Sequence, residues 1–87
     1  MLEEVKKALR ITNNEFDSEI MSLIQACESD LETSGVATYK INSRPLCKQA
    51  IILYCKAYFG FDNPDSEKLI NSYEHIKKKV AITYREG

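Results

Sequence analysis

Residues 45–60 read PLCKQAIILYCKAYFG, and their apolar side chains run most of the way round a helix. Leu46, Ala50, Ile51, Leu53, Tyr54, Cys55, Ala57, Tyr58 and Phe59 cover several faces, while Lys48, Gln49 and Lys56 leave a narrow polar strip. A helix with that distribution is wrapped by neighbours rather than laid along a surface. Its ends are marked as well: Ser43 is placed to cap, Pro45 suits the first turn, and Gly60 can take the left-handed conformation that closes a helix. The expectation is an all-α domain whose other segments cover this mostly buried rod.

Working outward, the flanks supply that cover. In residues 2–9, LEEVKKAL, Leu2, Val5 and Leu9 share one face, which predicts a short amphipathic helix that must dock to persist. Thr12, Asn13 and Asn14 interrupt it, and Thr12 with Glu15 fits a capping box for the next helix. From 14 to 33 the apolar positions Phe16, Ile20, Leu23, Ile24, Cys27 and Leu31 keep a helical period and no strand period. Glu15, Asp17, Glu19, Glu28, Asp30 and Glu32 read as its opposite face, and Gly35 stops it. Residues 36–43, VATYKINS, have no helical spacing and read as an extended loop. Within it, Tyr39 and Ile41 either fold back onto the core or present a contact to another chain. After Gly60, Asn63 is a good N-cap and Pro64 a good first helical residue, so a tight elbow leads into a last helix striped by Leu69, Tyr73, Ile76 and Val80. The reading is a single domain over 1–87: helices at about 2–9, 14–33, 44–59 and 64–82, a loop at 36–43 and a tail at 83–87.

Charge divides the chain more sharply than its net of −1 suggests. Residues 1–43 hold eight acids against four bases, and residues 44–87 hold five acids against eight bases. Between Ile11 and Tyr39 there are six acids and no Lys or Arg. The acids late in the second helix oppose its dipole, a small cost that a solvated face or a basic partner must justify. Copies that set acidic against basic parts could use such a split. Lys77, Lys78 and Lys79 in the last helix suit its dipole and are the basic counterpart.

Catalytic chemistry has little to work with. His75 is the sole histidine, and it points away from the Leu69–Tyr73–Ile76 stripe; no His/Cys cluster is spaced to hold zinc. The three cysteines form no CxxC pair. Cys47 and Cys55 stand roughly 12 Å apart along one helix, too far for a disulfide. Reduced core thiols of an intracellular protein are the expectation. The three glycines sit at helix stops or at the chain end, so no phosphate-cradling loop is present. No enzyme activity, cofactor or metal is expected, and no secretory signal or membrane span is visible.

The segments LEEVKKALRIT (2–12), FDSEIMSLIQACESDL (16–31) and RPLCKQ through KKKV (44–80) together resemble the small head–tail connector (DNA-packaging) proteins of tailed bacteriophages and prophages of Gram-positive bacteria. The most specific pieces are AIILYCKAYFGFDNPD (50–65) and SYEHIK (72–77), which are packing and elbow residues rather than a catalytic motif. The resemblance implies an all-helical structural protein that assembles as a homo-oligomeric ring beneath the portal protein. Such a ring extends the DNA channel, lies close to double-stranded DNA, and receives the next neck or tail-completion protein. It also implies a place in the virion neck, reached from the bacterial host cytoplasm during assembly; no membrane partner is expected, because the apolar run from Ala50 to Phe59 is too short to span a bilayer and Lys56 interrupts it.

It fixes no individual contact residue. Candidates for subunit or portal contact are therefore taken from the chain itself. Glu28, Asp30 and Glu32 represent the acidic helix, Lys77, Lys78 and Lys79 the basic one, and Tyr39, Ile41 and Phe61 are apolar residues on connections. The acidic helix could alternatively line the channel, where negative charge keeps DNA from sticking. The competing reading is a small helical DNA-associated packaging or regulatory protein that uses the basic end of the last helix. The six acids of the second helix would repel DNA, and the one tight helix–helix turn precedes an acidic start rather than a recognition helix.

Overall fold

The computed structural model describes residues 1–60 and 63–85. Five helices follow in order: α1 (Leu2–Leu9), α2 (Asp17–Thr33), α3 (Thr38–Ile41), α4 (Pro45–Tyr58) and α5 (Ser66–Tyr84). They form a small all-α bundle with extents of 40 × 24 × 18 Å. The apolar rod is α4, which packs against α1, α2, α3 and α5. Its Cys47, Ala50, Ile51 and Cys55 are fully buried. Around them gather Val5 from α1, Ile20, Ile24, Cys27 and Leu31 from α2, Ile41 from α3, and Tyr73 and Val80 from α5. Burying a side chain of Val, Ile or Leu size contributes about 1.5–3 kcal/mol, so this cluster is the main source of stability.

Several helix ends differ from the sequence expectation, each for a local reason. Asp17, not residue 14, begins α2, and Thr12 and Glu15 make no capping box. Instead Asn13 Oδ1 accepts the Glu15 N–H at 3.0 Å, and the Phe16 ring meets Phe59 edge-on with centroids 5.5 Å apart. Ser43 does not cap α4: its hydroxyl donates to the Tyr39 carbonyl at 2.7 Å, leaving an extended Arg44 as N-cap before Pro45. Asn63 caps no helix either. Its side chain accepts the Asp65 N–H and donates to the Lys56 carbonyl at 2.9 Å, so it ties the elbow to the end of α4 while α5 waits until Ser66.

The largest departure is at 36–43, expected to be an extended loop. Gly35, at φ 99°, ends α2 in a left-handed turn in which Val36 N–H donates to the Leu31 carbonyl and Gly35 N–H to that of Glu32. Val36 then makes an antiparallel bridge with Arg85, and Thr38–Ile41 coils into α3. The bridge lays the Arg85 stem over Gly35 so closely that a Cβ there would meet Arg85 Cγ at 2.8 Å. Residues 83 and 84, expected in a tail, belong to α5, whose last carbonyl at Tyr84 accepts the Lys40 ammonium at 3.1 Å.

Candidate interaction surface

Asp30 and Lys77, expected to face different molecules, meet within one chain. Lys77 Nζ lies 3.2 Å from Asp30 Oδ2 and 3.0 Å from Glu74 Oε2. Asp30 Oδ2 also accepts the Tyr73 hydroxyl at 2.6 Å, and that hydroxyl accepts the Cys27 thiol at 3.6 Å. The result is a polar chain from the core to the surface, Cys27 to Tyr73 to Asp30 to Lys77, which fastens α5 to α2. Its inner end is apolar in surroundings and its outer end is wet, since the Asp30 side chain is 38% exposed and that of Glu74 49%.

The electrostatics follow from that gradient. Burial, only partly offset by the bond to Tyr73, pushes the Cys27 thiol up to about 12. Burial alone takes Cys55 to about 12, and it raises Cys47 against the opposing pull of Arg44. These thiols are protonated at neutral pH and are poor nucleophiles. Burial first, and then the bond to Asp30, holds the Tyr73 hydroxyl well above the ordinary tyrosine range. At Lys77 burial works against the charge, but the bonds to Glu74 and Asp30 outweigh it and the ammonium is held above its usual range.

The remaining acids of α2 do not lie opposite its core as expected. Directly away from Ile20, Ile24, Cys27 and Leu31 stand Ser18, Ser22, Gln25, Ser29 and Thr33, all exposed and uncharged. The acids flank this ridge. By helical spacing Glu28 and Glu32 fall on the side of α1 and α3, and Glu19 falls with Asp30 on the side of α5. Among the described residues Glu15, Glu19 and Glu28 make no ion pair, and Glu32 only accepts the Thr38 hydroxyl at 3.4 Å. Lys48, Lys56, Lys68, Lys78 and Lys79 are likewise without an ion pair among the described residues.

Of the apolar candidates, Ile41 is a correction: at 1% exposure it fills the core, because coiling of α3 turns it inward. Tyr39, one turn-half away, is 61% exposed. Phe61 lies outside the described residues. His75 borders an open groove on α4 and α5 with Leu53, Lys68, Asn71, Ser72 and Ile76, which brings it neither a thiol nor a carboxylate. Among the described residues no group of three or more His, Cys, Asp or Glu side chains could hold a metal ion, and no helix is long and apolar enough to cross a membrane.

Two features escaped the sequence reading. The hydroxyl of Tyr73 needed a partner once its ring joined the apolar stripe, and that was a usable signal. Lys6 gave none. It looks like a solvated residue of α1, yet it is 5% exposed, with its ammonium 2.8 Å from Asp17 Oδ1 and 2.9 Å from Asn14 Oδ1.

Comparison with models of protein families matches residues 1–87 to the family described as phage connector protein. No curated protein and no solved structure matches.

Proposed function

Since this chain belongs to the phage connector protein family, we propose that it is a ring-forming head–tail adaptor. Copies join side by side beneath the portal, extend the DNA channel and offer the surface on which the next neck or tail-completion component docks. The ring sits in the virion neck and assembles in the host cytoplasm. A ring needs a head-to-tail interface, in which one surface of a subunit meets a different surface of the next. The observation that supports it is the uncompensated charge: Glu19, Glu28 and Glu32 beside the α2 ridge, and the lysines Lys48, Lys56, Lys68, Lys78 and Lys79, make no ion pair among the described residues. Facing patches of opposite sign set register and discourage wrong partners. The DNA-associated alternative is weaker than its sequence suggested, because Lys77 is held by Asp30 and Glu74 and only Lys78 and Lys79 remain of the run.

Charge reversal tests this. Glu28→Lys with Glu32→Lys should cut assembly, read as mass by light scattering with and without purified portal, by about tenfold or more. The reciprocal Lys78→Glu with Lys79→Glu should do the same, and mixing the two variants should restore part of it. Unchanged assembly of both variants sinks the proposed interface.

A further inference from the structure

Between α2, α4 and α5 lies an open groove of about 480 Å³ whose walls differ in character. One wall is the small-residue side of α2, with Ala26, Ser29 and Thr33. The other is aromatic: Tyr58, 44% exposed, leans on Tyr54 with centroids 4.6 Å apart, and Tyr54 meets the Tyr73 ring edge-on at 5.1 Å. Tyr73 is buried beneath, its ring already met by the Lys77 ammonium at 5.7 Å, so the faces open to the groove are those of Tyr58 and Tyr54. Asp30, Glu74 and Lys77 also line the groove, so it carries two carboxylates against one ammonium.

We propose that this groove is a socket for the guanidinium of an arginine, carried on a segment of a partner protein. Tyrosine faces attract a cation, and a flat, delocalised, weakly hydrated guanidinium stacks on them better than an ammonium does. The excess carboxylate charge complements it. Lys77 already fills the point between Asp30 Oδ2 and Glu74 Oε2. The second oxygen of each of these partly exposed carboxylates accepts no bond among the described residues, and a fork of N–H donors can engage several acceptors at once. The low wall formed by Ala26, Ser29 and Thr33 leaves room for the backbone that bears the arginine. The chain's own arginines are poor occupants: Arg85 lies over Gly35, Arg10 closes α1 and Arg44 opens α4. The inference stands on the groove itself and does not require the ring.

The test titrates the full-length, ¹⁵N-labelled chain with a blocked Gly-Arg-Gly peptide, followed by amide chemical shifts. The expected result is saturable shifts confined to residues around Ala26, Ser29, Thr33, Tyr58 and Glu74, with a dissociation constant on the order of millimolar. The lysine peptide and its uncharged citrulline counterpart should each bind at least about threefold more weakly. Glu74→Gln and Tyr58→Ala should weaken the arginine peptide by a similar factor. Glu74 is half exposed, so its variant keeps the test intact even where Tyr58→Ala fails to fold. Absent or scattered shifts, citrulline or lysine matching arginine, or wild-type affinity in the Glu74→Gln variant would each overturn the socket. So would a self-association that covers the groove and vanishes in Tyr58→Ala, which would make a second copy the occupant.

Discussion

Lys6 and Lys77 each tie a neighbouring helix to α2 through a carboxylate, but the two junctions rest on different foundations. Beneath Lys77 lies α5, 19 residues long, with Tyr73 and Val80 buried against the core. Apolar packing holds that helix, and the polar chain through Tyr73 and Asp30 sets how it sits. Lys6 belongs to α1, which has 8 residues and one fully buried apolar side chain, Val5. Two turns do not persist alone, so the buried ammonium and its partners Asp17 and Asn14 carry a larger share. The same helix ends on Arg10 in the left-handed region, at φ 61°, where a side chain costs about 1–2 kcal/mol. One junction is packing trimmed by polarity; the other is polarity holding a strained flank.

The most severe way to break this contrast is to cut both junctions and compare where the damage spreads. Tyr73→Ala should cost about 4 kcal/mol, as large-to-small aromatic changes in a core do, and hydrogen exchange should accelerate across α4 and α5 together. Asp17→Ala should cost about 2 kcal/mol, less than a fully buried pair because the Asp17 side chain is 32% exposed, and should accelerate exchange mainly in α1. Equal, global loss in both variants would erase the distinction.

Alkali offers a gentler probe of the α5 side. Cys27 beneath Tyr73 and Cys55 on α4 stand near 12 in the folded chain against an ordinary 9.0. The folded state therefore holds protons that the unfolded state has released. Stability should be intact below pH 9, then fall as pH rises toward 12, by about 1.4 kcal/mol per pH unit for each thiol. Urea midpoints across that range should show the decline, and Cys55→Ala should make it shallower without abolishing it, since Cys27, Cys47 and Tyr73 are also raised.

The smallest effect lies at the other junction and has the opposite sign. Arg10→Gly removes the left-handed penalty and should raise stability by about 1 kcal/mol, visible as a melting temperature several degrees higher. No gain would mean that the Arg10 side chain repays its own conformation through contacts of its stem.

How much of this was legible depended on the range of the interaction. The buried rod, the stripe of α2 and the stripe of α5 were written in spacings of three and four, and the sequence reading located all three helices. Boundaries failed where a polar residue had two possible uses. Asn63 went to the Lys56 carbonyl, and Ser43 to that of Tyr39, rather than to the helix starts beside them. At 36–43, β-branched residues suggested extension, but a four-residue coil is decided by what Ile41 can bury, which no local pattern reports. The charged candidates were found as residues but not as partners. Asp30 and Lys77 are 47 positions apart, and only the fold shows that they meet.

The uncharged outer row of α2 bears on how tightly subunits could seat. Its serines and threonine present little bulk, and with the flexible Gln25 swung aside a facing helix axis could close to about 8 Å, the short end of helix packing. In a closed ring every seam is a copy of every other. Were that row to lie at the proposed seam, a single enlarged side chain on it would wedge every seam open at once, and a penalty of a few tenths of a kcal/mol at one seam would be multiplied by the number of seams.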